Sequence, residues 1–274
     1  GGDPNSGFSV RIRGANGYES GTQPLYVIDG VPGVDPTTVA PEDIKTFDIL
    51  KDAASTAIYG SRGANGVILI TTKQGTNNSG EEGFISKIGF NSKVSMDFTA
   101  NRYDVLTADE MRDYVQTLVD DSGNPTYTAD SLFNDGGANT DWQDEVFRMG
   151  ITHSNNINFS GGNKTSSYYA SVTHANYEGV MKGTSKERTI GKININHSGL
   201  NDRLKLSGSL SGTKEFNDYE NYDGFDKDDI IYQALSRNPT DPVYNSDGSY
   251  YQANRVFNYE NPLAVIDNIQ NERD

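Results

Sequence analysis

The 274 residues carry 38 acidic and 23 basic side chains, a net charge of −15, and no cysteine. That balance argues against a nucleic-acid binder, which needs a basic stripe to displace counterions, and the lack of thiols removes disulfides, zinc–thiolate sites and cysteine nucleophiles. No run approaches the roughly 18 apolar residues of a membrane helix. A hydrophobic content of 34% is nevertheless what membrane β-strands show, since each needs only about 9–11 residues and turns half of them to a polar lumen.

The chain opens Gly1-Gly2-Asp3-Pro4 without an initiator Met or a basic-then-apolar leader, so the true N-terminus is expected to be missing. From residue 8 to residue 73, short apolar runs alternate with Gly and Pro. Ser9-Val10-Arg11-Ile12-Arg13, Leu25-Tyr26-Val27-Ile28, Phe47-Asp48-Ile49-Leu50 and Val67-Ile68-Leu69-Ile70-Thr71-Thr72 each have the length and composition of a strand. Residues 51–59 have helical composition and stop at Gly60, a residue suited to the position after a helix. A small mixed α/β domain is predicted over residues 1–75, followed by a flexible Gly/Asn/Glu linker over residues 76–83.

Beyond the linker the period is two. Phe84, Ile88, Phe90, Val94, Met96 and Phe98 share one face, opposite Lys87, Asn91, Lys93, Ser95 and Asp97. The same alternation predicts strands over residues 151–160, 167–177, 188–198 and 203–211. It sets Ile157 and Phe159 against Asn156 and Asn158, Ile193 and Ile195 against Lys192, Asn194 and Asn196, and Leu204, Leu206 and Leu210 against Lys205, Ser207 and Ser209. The connections alternate in length. Residues 99–150 form a long one with a helix over 108–120, opened by a Thr107/Glu110 capping box and apolar along Met111, Tyr114, Val115, Leu118 and Val119. Residues 161–166 and 199–202 are short, 178–187 is medium, and residues from 213 onward read as polar loop. Long outer loops facing tight periplasmic turns are the asymmetry of an outer-membrane barrel, which places the long ones outside the cell.

Three blocks carry a resemblance. Pro24-Leu25-Tyr26-Val27-Ile28-Asp29-Gly30-Val31-Pro32, then Ile49-Leu50-Lys51-Asp52-Ala53-Ala54, then Ile58-Tyr59-Gly60-Ser61-Arg62-Gly63-Ala64-Asn65-Gly66 running into Val67–Thr72 resemble the plug of the SusC/RagA family of TonB-dependent transporters. Thr140-Asp141-Trp142-Gln143, Phe159-Ser160-Gly161-Gly162 and Tyr168-Tyr169-Ala170-Ser171 resemble that family's early barrel strands. The resemblance implies a small mixed α/β plug domain followed by antiparallel transmembrane β-barrel strands, an incomplete part, over residues 84–274, of a barrel of about 22 strands. It also implies active import of oligosaccharides or peptides across the outer membrane of a Gram-negative bacterium. The expected partners are TonB, acting through a segment absent here, a SusD-like surface lipoprotein lid, and outer-membrane lipid. No enzymatic activity and no cofactor are expected.

Within that frame Arg11, Arg13 and Arg62 are candidates to pair with lumen carboxylates, or else to be solvated. Asp29, Gly30, Tyr59, Gly60, Gly63, Asn65 and Gly66 form the plug motif, with Gly30, Gly60, Gly63 and Gly66 read as turn glycines at positive φ. Tyr219, Tyr222, Phe225, Tyr232, Tyr250 and Tyr251 are candidates to face substrate or lid, or to form a rim girdle. His153, His174 and His197 lack metal spacing, and the acidic run 223–229 lacks the order of a calcium loop. A soluble β-rich carbohydrate-binding or adhesin module is the alternative reading.

Overall fold

The computed structural model describes residues 2–7, 10–12, 23–51, 57–75, 85–118, 123–124, 135–218, 229–252 and 260–271. The first sheet comprises β1 (Leu25–Ile28), β2 (Val31–Pro32), β3 (Ile44–Leu50) and β4 (Val67–Thr72), in the order β2-β1-β4-β3. β1 and β2 are joined by Asp29 and Gly30 alone, at φ +49° and +85°. Positive φ at both positions is the two-residue hairpin geometry that Asp-Gly favours. β4 pairs in parallel with β1 and antiparallel with β3, and its apolar run suits a strand bonded on both edges. Ile28, Val39, Ile68 and Ile70 form the core of this plug domain.

β2 was not foreseen, because two residues carry no period. Of the helix expected over 51–59, residues 52–56 lie outside the described set. Residues 57–59 belong to 3-10 turns, Ala57–Gly63, kinked at Gly60, and Lys51 lies in no helix. Gly60 and Gly66 take φ of +59° and +97°. Gly63 is not left-handed; it is buried, with its carbonyl accepting the Gly66 amide at 2.9 Å.

The second sheet is an antiparallel meander of β5 (Ile85–Asp97), β6 (Gly150–Gly162), β7 (Ser166–Glu178), β8 (Ser185–Gly199) and β9 (Leu204–Asp218). β9 runs seven residues past its expected end at Ser211, because full-length pairing with β8 (Ser185 opposite Asp218) extends it through the weakly patterned Thr213–Asp218 stretch. The polarity of this sheet is reversed relative to a soluble one. Ile88 is 74% and Leu210 71% exposed, as are Phe90, Ile157, Phe159, Ile193 and Leu206 in lesser degree, whereas Asn156, Ser171, Thr173, Lys192 and Asn194 on the opposite face are at most 5% exposed. A strand with one face in hydrocarbon and the other in a polar lumen has this pattern.

Ile88, Phe159, Ala170, Ile193 and Leu210 lie in one hydrogen-bonded row. On β5 the large apolar side chains continue from that row toward Met96, and on β9 they continue the opposite way toward Leu204. The apolar belt therefore crosses the rows obliquely, as it must when strands tilt about 35–45° from the barrel axis.

Among the described residues, four helices sit at the end of the sheet reached by the long connections: α1 (Ala108–Gln116), α2 (Trp142–Val146), α3 (Ile230–Ser236) and α4 (Pro262–Asn271). α1 has the expected capping box at Thr107 and Glu110 but closes at Gln116, short of residue 120. Residues 119–120 lie outside the described set. α2, α3 and α4 were not foreseen. Trp142, Val146, Met181, Ile230, Ala234, Leu263, Val265 and Ile266 make one apolar cluster from three separate connections, so residues 229–252 and 260–271 take part in a packed lobe and are not plain polar loop.

The reversed sheet gives a direct expectation. Leu206→Arg, near the middle of the belt on β9, should destabilise barrel assembly by about 2–4 kcal/mol, while Ser207→Arg on the lumen face should assemble normally. Heat-modifiable gel mobility of the full-length protein checks this, and equal losses at both positions would refute the facing.

Candidate functional site

The plug and the wall meet across the polar face of β7 and β8. The Asp29 amide donates to the Ile70 carbonyl at 2.9 Å, which aims its carboxylate over the end of β4. Oδ1 accepts the Thr72 amide at 2.8 Å, and Oδ2 accepts both the Thr72 hydroxyl at 2.6 Å and Lys192 Nζ, from the middle of β8, at 2.9 Å. The side chains of Lys192 and Asp29 are 5% and 18% exposed. Burial pushes the Asp29 carboxyl up, but the hydrogen bonds from Thr72 and Lys192 outweigh it and hold the group below the usual carboxylate range. Either charge left alone at this depth would cost several kcal/mol, about 3–5 for breaking a fully buried pair.

A second carboxylate makes a parallel contact. Asp43 ends a 3-10 turn, Pro41–Asp43, and is 1% exposed. Its two oxygens accept the Tyr169 hydroxyl at 2.7 Å and the Ser171 hydroxyl at 2.6 Å, both from the inward face of β7, and its carbonyl accepts the Lys73 amide at 2.7 Å. Asn194, two residues beyond Lys192, donates to the Lys73 carbonyl at 2.8 Å and the Thr72 hydroxyl at 3.3 Å.

The strip extends both ways. Asn196 reaches Gln74 at 3.4 Å, and Arg188, held by Glu215 at 2.5 Å, donates to the Thr37 carbonyl at 3.3 Å. Asn5 donates to the carbonyls of Ser185 and Asp218 at 3.1 and 2.6 Å. The two apolar clusters lie one within the plug and one within the loop lobe, so neither joins plug to wall. Among the described residues the contact is made by directed hydrogen bonds and the Lys192–Asp29 ion pair, with Ala175 and Ile190 also buried on the lumen face.

Residues 1–67 match the family model described as the TonB-dependent receptor plug domain. The chain is 36% identical to the TonB-dependent receptor SusC of Bacteroides thetaiotaomicron, covering 95% of this chain and 26% of that protein. It is 33% identical to a TonB-dependent receptor of Formosa agariphila, over all of this chain and 26% of that one. Structures of the RagAB peptide importer in its open-open and closed-closed states each match 93% of the chain and 31% of theirs at a TM-score of 0.72 and 25% identity. The chain belongs to the SusC/RagA type of TonB-dependent receptor. It spans about a quarter of the length of the curated relatives it matches.

In this receptor segment Asp29 stands at the contact itself and Gly30, exposed, shares its turn, while Tyr59, Gly60, Gly63, Asn65 and Gly66 lie in the turns that lead into β4. Arg11 and Arg62 are exposed. Arg62 lies back over the plug, where a Cβ at Gly33 would stand 2.6 Å from its Nη2. Arg13, Tyr219, Tyr222 and Phe225 lie outside the described residues. Tyr232, Tyr250 and Tyr251 are half-buried in the loop lobe. Tyr250 sits against Tyr244 at 5.2 Å between ring centroids and donates to Asp267. Sequence reasoning missed Asp43, Thr72, Tyr169, Ser171, Lys192 and Asn194 as one site. Its visible trace was Lys192, a cation in the lumen-facing series of β8 between Ile190 and Asn194.

Lys192→Met in the full-length receptor should weaken plug seating by up to about 3 kcal/mol, read as faster hydrogen exchange in the β1–β2 turn. The pH dependence has a definite sign. A carboxyl held below its ordinary range contributes fully at neutral pH and loses its contribution as pH falls through the lowered value. Acid should therefore lower the protection of the turn amides relative to their intrinsic exchange rate at each pH, and Asp29→Asn should remove that acid step while already showing low protection at neutral pH.

Proposed function

We propose that the receptor to which this segment belongs imports oligosaccharides or peptides across the outer membrane of a Gram-negative bacterium, with energy delivered through TonB loosening the plug. The observation that carries this reading is the plug–wall contact. A plug fixed by buried hydrocarbon would resist a pull in proportion to its whole interface, whereas directed hydrogen bonds break one after another and re-form with water. Strand polarity supports the same reading against a soluble carbohydrate-binding module, whose sheet would bury Ile88, Phe90, Leu206 and Leu210 instead of exposing them. The likeness to the RagAB peptide importer supports the peptide side of this substrate class.

The loop lobe is the part of this segment suited to meet substrate and a surface lipoprotein of the SusD type. Tyr244 is exposed at its surface, and an interface that opens and closes is better served by polar and tyrosine groups than by a dry apolar patch. Placing this end of the sheet outside the cell requires that single cysteines at Asn139, Lys182 and Asp247 label on intact cells and that one at Asn163 does not.

Import itself is tested with cysteines at Gln74 and Asn196, bridged by a thiol-cleavable reagent in the full-length receptor. Uptake of labelled oligosaccharides or peptides should fall to the level of cells lacking TonB and return on reduction. Uptake that persists with the bridge in place would exclude plug release as the gate. A lipoprotein that fails to co-purify from native membranes would remove the lid from the proposal.

A further inference from the structure

The outward face of the sheet holds Gly191, Gly208 and Gly212, whose missing side chains no neighbour among the described residues requires. Gly191 and Gly212 are register partners, and Gly191 is opposite Val172 on its other side. Glycine inside a strand weakens it and often marks close approach by another body. A Cβ built at either position meets nothing within 4 Å, and neither residue is left-handed. With Ala170 they floor a groove of about 750 Å³, walled by Ile157, Phe159, Val172, Ile193 and Leu210.

The groove has a polar mouth. The next row toward the loop lobe is His174, Thr189 and Lys214, again register partners. His174 Nδ1 and Thr189 Oγ1 are 3.0 Å apart, and Lys214 Nζ rests 4.5 Å from the centroid of the Phe216 ring. Phe216 thus holds the ammonium away from the apolar belt, in the manner of interfacial lysines. The neighbouring cations Lys186 and Arg188 turn inward to Glu215. The outward acid of the following row, Glu187, stands opposite Phe216 and not opposite Lys214.

We propose that this groove is a binding site for a phosphate-bearing membrane lipid, with an acyl chain lying over Gly191 and Gly212 and the anionic headgroup on Lys214, beside His174 and Thr189. The site rests on the reading that the apolar face lies in the membrane. It is complete within β6 to β9 and needs no other part of the barrel. The charge at the mouth selects this occupant over a second copy of the chain, because a two-fold contact centred on the groove would bring two Lys214 ammonium groups together.

The test uses full-length receptor exchanged into detergent with phosphatidylglycerol or phosphatidylcholine, with retained lipid counted by native mass spectrometry. The unmodified protein should retain phosphatidylglycerol in preference to phosphatidylcholine. Lys214→Gln should reduce that preference about fivefold. Gly191→Leu with Gly212→Leu, which fills the groove from positions where a Cβ meets nothing within 4 Å, should abolish retention of either lipid, and Gly191→Ala should lower it partly. Unchanged retention in the filled variant, or an unchanged lipid preference in Lys214→Gln, overturns the site. A changed oligomeric mass with unchanged lipid would assign the groove to a second copy and overturn it equally. Heat-modifiable mobility is followed in every sample: its absence in the unmodified protein would sink the barrel reading instead.

Discussion

Lys192 reaching from the wall to Asp29 is the contact on which the other features converge. It fixes the polarity of β8, since a buried ammonium on one face obliges that face to carry acceptors and leaves the other for hydrocarbon. It also fixes the turn between β1 and β2. Asp29 can serve as acceptor only because the hairpin closes in two residues, with Gly30 at φ +85° and Asp29 itself left-handed. Thr72 then completes the carboxylate shell from β4. One ion pair links the centre of the plug sheet, the tight turn beside it and the middle of the wall.

The same constraint explains why Asp43 is treated alike. A buried carboxylate must have its lone pairs occupied, and in a polar lumen hydroxyls are the neutral donors at hand. Tyr169 and Ser171 supply them from consecutive inward positions of β7. Asn194, Asn196, Arg188 and Asn5 repeat the pattern along the strip. Each bond is modest once its exchange with water is counted, about 0.5–1.5 kcal/mol. Seating thus arises from many small contributions, with the ion pair as the one that is costly to leave half-made.

The loop lobe follows different physics. There Trp142, Met181, Ile230 and Leu263 bury hydrocarbon in the ordinary way, and polar groups inside bond to backbone carbonyls. The Trp142 indole donates to the Asn238 carbonyl at 3.0 Å, and Arg237 lies 4.8 Å from the indole ring while donating to the Tyr251 carbonyl at 2.7 Å. The lobe is thus held by packed hydrocarbon, whereas the plug meets the sheet through polar groups.

The sequence by itself determined the strands of the second sheet and which side of each is apolar, because a period of two is a local property that barrel and lipid reinforce in the same sense. It also determined the Asp-Gly turn and the Thr107/Glu110 cap, where a few adjacent residues suffice. Tertiary structure alone decided that Lys192 meets Asp29 and that Tyr169 and Ser171 meet Asp43. Each pairing spans more than a hundred residues and joins side chains that, read singly, are indistinguishable from solvated lumen groups. It likewise decided the loop lobe, since Trp142, Met181, Ile230 and Leu263 come from separate connections, and only their convergence turns weakly apolar loops into a core.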